Sequence, residues 1–114
     1  MEDSLIELLS SFGFPVMLQG SLAADARYPD NFFTFWNNFS DGDSFYDNSE
    51  NSTVYDYDVN FYSNNPQSTY DILREAITLL KSQNFIVSGD GYSVASDEKT
   101  HTGRGINVKY LRRI

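Results

Sequence analysis

Leu5, Leu8, Leu9 and Phe12 recur at i, i+3, i+4 and i+7, which places one apolar stripe along a short helix. Asp3 is positioned to cap its start and Gly13 suits the left-handed residue after its end. Pro15 then keeps the helix from resuming. "PVMLQG" follows as a brief extended segment, and the polar "SLAADARYPD" is a loop closing on a Pro-Asp turn signal. In "NFFTFWNN" the period changes to two. Phe33 and Phe35 fall on one face of a strand, Phe32 and Trp36 on the other, which predicts cover on both sides. "FSDGDSFYDNSENS" is a polar loop with room for a short strand at Ser44 to Tyr46. "TVYDYDVNFYS" alternates most strictly. Thr53, Tyr55, Tyr57, Val59 and Phe61 share one face, and Val54, Asp56, Asp58, Asn60 and Tyr62 the other.

The helical period returns in "NPQSTYDILREAITLLKSQNF". Asn65 is placed as N-cap with Pro66 at the first helical position. Tyr70, Leu73, Ala76, Ile77 and Leu80 form the apolar stripe, Lys81 complements the helix dipole, and Asn84 ends the helix in a left-handed conformation. "FIVSGDGYSVAS" suggests a strand, a glycine-rich turn and a short strand. "DEKTHTGRG" is a polar loop, and "INVKYLRR" is a last strand with Ile106, Val108 and Tyr110 on one face. The order α-β-β-β-α-β-β predicts a single α+β domain over residues 1–114. It has an antiparallel-rich sheet of about five strands and two helices packed on one face.

Composition sharpens this picture. The 114 residues include 9 Phe, 8 Tyr and 1 Trp, rings large enough to supply much of a small core or an interface. With no cysteine, disulfides and thiolate metal sites are excluded, which fits an intracellular protein. "MEDSLIELLSSFGF" has no basic leader and does not read as a signal peptide, so the sequons at Asn38 and Asn51 are taken as chance. No apolar run approaches the ~20 residues of a membrane span. The net charge is −8, and it is polarised. Met1 to Asp58 hold 11 acids and one base (−10); Val59 to Ile114 hold 5 acids and 7 bases (+2). Such acidity argues against general nucleic-acid binding, while the polarity permits head-to-tail contact between copies.

Candidate chemistry is sparse. His101 is the lone histidine, in what reads as an exposed loop, with no assignable triad. Asp41, Asp43, Asp47 and Glu50 invite a calcium loop. Counted from Asp41, however, the fifth and sixth residues are Phe45 and Tyr46, and the EF-hand order fails. Asp56 and Asp58 sit about 7 Å apart on one strand face, a spacing open to acid–base work but already explained as the solvent face of a half-buried strand. "SGDGYS" and "TGRGI" match no phosphate-binding fingerprint. No catalytic, cofactor or metal residue is assigned. A hydrolase using Asp56, Asp58 and a metal, and a module gripping a peptide or nucleic acid through aromatic strands, remain the rivals of an assembly protein.

The ordered series of a short first helix, "YPDNFFTFWN", "YDYDVNFYS", "STYDILREAITLLKSQNF" and "THTGRGINVKYL" covers nearly the whole chain. It resembles the tail-terminator, or tail completion, proteins of long-tailed bacteriophages and prophages. The resemblance implies a non-enzymatic structural subunit that forms a ring, commonly a hexamer, at the head-proximal end of the tail tube. There it ends tube polymerisation and offers the head–tail joining surface. Implied partners are further copies of the chain, the major tail tube protein and a head-completion or neck protein. DNA passes without specific binding, no membrane is involved, and the location is the virion after assembly in the host cytoplasm. Other neck or head-completion proteins are the nearest alternative. A ring needs two unlike patches per subunit. The candidates are Phe32 and Trp36 with the acidic loop residues Asp41, Asp43, Phe45, Tyr46 and Asp47, and the basic residues Arg104, Lys109, Arg112 and Arg113.

Overall fold

The computed structural model describes residues 2–19, 28–42, 52–96 and 98–113, with side chains for all of these except 39–42, 52, 112 and 113. The expected Ser44 to Tyr46 strand lies outside the described residues. Helix α1 (Glu2–Ser10) leads into a short edge strand β1 (Val16–Leu18) and then two twelve-residue strands, β2 (Asn31–Gly42) and β3 (Ser52–Ser63). Helix α2 (Pro66–Ser82), β4 (Ile86–Val94) and β5 (Thr102–Arg113) complete an α+β fold in the expected order.

The strands form one sheet in the order β1-β2-β3-β5-β4. The sheet is antiparallel-rich, as expected, and one parallel pair makes it mixed: β1 runs parallel to β2, with Val16 beside Phe33 and Leu18 beside Phe35. The twelve residues between Leu18 and Asn31 are long enough for the return that a parallel pair needs. All other pairings are antiparallel. β5 enters between β3 and β4, so its Val108 sits between Tyr57 and Val87.

Both helices pack on one face of the sheet. Leu5 and Leu9 of α1 and Leu73, Ala76, Ile77 and Leu80 of α2 bury against Phe33, Phe35, Tyr57, Val59, Phe61, Ile106 and Val108. Each fully buried side chain of this size contributes about 1.5–3 kcal/mol of transfer free energy. The aromatic content goes largely into this layer: Phe33 and Phe61 lie 4.8 Å apart between ring centroids, with Phe12 against Phe33 and Phe14 against Phe61.

Local signals account for the helix ends. The Asn65 side chain accepts a hydrogen bond from the Gln67 amide at 3.1 Å with Pro66 following, and Asn84 adopts φ 70° after the last turn. Gly13 takes φ 87° after α1. Asp3 lies inside α1, beside Glu2 in the first turn where carboxylates favour the helix dipole, and so does not serve as the expected cap. Two further expectations change. Tyr70 is exposed and its ring carries the Arg104 guanidinium 4.3 Å from its centroid; Thr69 takes the buried position. "IVSGDGYSV" is one strand, since Ser88 pairs with Asn107 and Tyr92 with Gly105, leaving Gly89, Asp90 and Gly91 as a bulge opposite Ile106. Gly91 needs its φ of 107° there, a conformation side chains rarely adopt.

Candidate interaction surface

The face of the sheet opposite the helices is built by the even positions of β2 up to its bulge and the odd ones beyond it, the even positions of β3 and the odd positions of β5. No described helix covers it. Trp36 (50% exposed), Ile86, Tyr92 (48% exposed) and Leu111 all lie on it by register, four of the six exposed large apolar side chains among the described residues. They stand apart, Trp36 on β2, Leu111 on β5 and Ile86 and Tyr92 on β4, so the face offers separate apolar anchors with polar groups between them rather than one continuous patch.

A polar cluster crosses the middle of this face. Asn38 is the extra residue of a bulge in β2 between Asn37 and Phe39, and it donates from Nδ2 to Asp56 Oδ1 at 2.9 Å. Asn107 Nδ2 donates to the same oxygen at 2.7 Å and to Asp58 Oδ1 at 3.2 Å. Lys109 Nζ stands 3.8 Å from Asp56 Oδ2. The pairing of Asp56 with Lys109 follows from register, where the two are directly opposite. Asp56 is only 5% exposed, which corrects its expected place on a solvent face. Buried carboxylates persist when neighbours supply donors and a cation, as here. Asp58 is less enclosed and has no ion pair among the described residues. It lies directly across from Trp36. Burial, and then the Asp58 charge, push the Tyr92 phenol above its ordinary value.

The next row holds Thr34, Asn60, Gly105 and Tyr92. Asn60 Nδ2 donates to Gln19 Oε1 at 3.0 Å, while Asn60 Oδ1 and Thr34 Oγ1 are buried with no hydrogen-bond partner. A side chain at Gly105 would collide with Asn60 Oδ1, so glycine is what lets the amide lie over β5.

At the far end of the same face the rings of Tyr28, Phe32, Tyr62 and His101 pack together. His101 is buried, contrary to its expected exposed loop. Its Nε2 lies 2.8 Å from the Pro29 carbonyl, which can only accept, so Nε2 carries the proton; Nδ1 lies 2.8 Å from Thr100 Oγ1. The histidine ties two loops together.

The sequence-derived candidates separate accordingly. Phe32 is buried by its own chain, and Trp36 is presented outward. Arg104 is occupied with Tyr70 on the helix side, and Lys109 with Asp56. Asp41 pairs along the backbone with Val54, and Arg112 and Arg113 with Thr53 and Ser52. Asp43, Phe45, Tyr46 and Asp47 lie outside the described residues. The acidic and basic ends of the chain are thus interleaved, with β3 between the end of β2 and the end of β5. Ile86, Tyr92 and Asn107 were missed because only cross-strand register puts Asn107 beside Asp58 and carries Ile86 and Tyr92 of β4 onto the same face as Trp36, with β3 and β5 between. Among the described residues no three His, Cys, Asp or Glu side chains gather to hold a metal, and no helix is long and apolar enough to cross a membrane. Comparison with protein-family profiles and with curated proteins finds no match to the chain.

Proposed function

We propose that the chain is a structural assembly subunit of the tail-terminator kind. As a ring it caps the head-proximal end of a phage tail tube, ends tube polymerisation and presents the surface that meets the head-completion or neck protein. The observation that carries this reading is the helix-free sheet face, where Trp36, Ile86, Tyr92 and Leu111 stand exposed around a fixed polar cluster. Interfaces combine such aromatic and aliphatic anchors with satisfied polar groups between them. Asp56 and Asp58 on this face, with a net charge of −8, disfavour adhesion to DNA. In this reading the subunit has no enzymatic role.

The test is co-assembly with the tail tube protein of the same phage. The chain is expected as a ring at one tube end by electron microscopy, with tubes of bounded length; without it, tubes overgrow. Tubes of unchanged length with bare ends would exclude the terminator role. A second reading, an aromatic-strand binding module, draws on the same Trp36 and Tyr92. It requires salt-dependent binding of a single-stranded oligonucleotide, against the acidic face.

A further inference from the structure

On the other side of the molecule, α2 and the end of α1 leave a cleft of about 580 Å³ lined by Ser11, Phe12, Arg74, Glu75, Thr78, Leu79 and Ser82. The sheet lies between this cleft and the face that presents Trp36. We propose that the two surfaces are mates: Trp36 of one copy inserts into the helix cleft of the next. The occupant is a second copy of this chain, and the inference rests on the assembly reading above.

Size and charge carry it. The hollow is shallow and open, broad enough to seat an indole laid against it, and its apolar walls are Phe12 and Leu79, both partly buried. Trp36, 50% exposed, is the only tryptophan of the chain and the largest side chain on the opposite face. The polar rims match as well. Asp58, opposite Trp36, has no ion pair among the described residues, and neither has Arg74 at the cleft. An indole with a carboxylate beside it therefore meets an apolar hollow with a guanidinium at its edge. The chain already uses an arginine–ring contact internally, at Arg104 and Tyr70. Two unlike surfaces facing opposite ways make a heterologous contact, which closes into a ring when the rotation per copy allows.

The experiment uses the full chain and light scattering after size exclusion over a wide concentration range. Trp36→Ala removes the knob and Thr78→Arg fills the cleft at an exposed helix position. Each is expected to weaken association at least about 10-fold, with circular dichroism unchanged. Asp58→Arg tests the same knob if Trp36→Ala disturbs the strand. An equimolar mixture of the two variants should give a dimer and nothing larger, because one intact knob meets one intact cleft once. Emission of the sole tryptophan should shift to the red as the wild-type oligomer is diluted. An oligomer that survives both substitutions, or whose Trp36 emission is that of a water-exposed indole throughout, overturns this contact while leaving self-assembly standing. A strict monomer at all concentrations overturns both the contact and the self-assembling reading.

Discussion

Thr34 shows how much of the sheet face is decided by single atoms. Its hydroxyl is buried without a partner, two positions along β2 from Trp36. An unsatisfied buried hydroxyl costs about 1–3 kcal/mol, and valine has nearly the same shape. Thr34→Val is therefore expected to raise the free energy of unfolding by about 1 kcal/mol in a urea titration; a loss of stability would mean the hydroxyl is satisfied in solution. Tyr92 gives a pH dependence. Its phenol is raised in the folded state by burial and then by Asp58, so above the ordinary tyrosine value of about 10 the unfolded chain loses this proton more readily than the folded one. The stability it supports is complete below pH ~10 and falls as pH rises from there through the folded-state value. Tyr92→Phe should flatten that alkaline decline, and an unchanged decline would remove Tyr92 as its source. Neither Asp56 nor His101 was legible in its final setting. Alternation places Asp56 on the correct face, but its burial depends on Asn38, Asn107 and Lys109 arriving from other strands. The partner of His101 is the Pro29 carbonyl, 72 residues away along the chain.

Elements whose causes are local could be read from the sequence. α2 has its Asn65 cap, Pro66, apolar stripe and Asn84 terminator within one stretch. Asn65→Ala should cost about 1 kcal/mol, read as a lower thermal midpoint, because the Gln67 amide loses its acceptor; no change would mean that solvent replaces the cap fully. β3 could be read in the same way, since a twelve-residue strand with one apolar face repeats its signal many times. β1 is different. Three residues carry no period of their own, and their parallel pairing is set by where β2 returns. The β4 bulge was mistaken for a turn because glycines with positive φ serve both; what excludes the turn is that the strand resumes along β5 at Tyr92.

At the scale of the whole molecule, the long strands and the one-sided helices give two unlike broad surfaces, and an assembling subunit needs both. The sheet order has a further effect, on how the protein is made. β5 is an interior strand of the sheet, between β3 and β4, yet it follows every other described element in the chain. While the ribosome is still delivering residues 83–101, β3 has one free edge and β4 has no neighbour. Nascent chains at that stage expose the Tyr57, Val59 and Phe61 ladder to any strand nearby. The fold therefore closes late, when residues 102–113 pair across to β3 and β4 at the pace of long-range strand pairing.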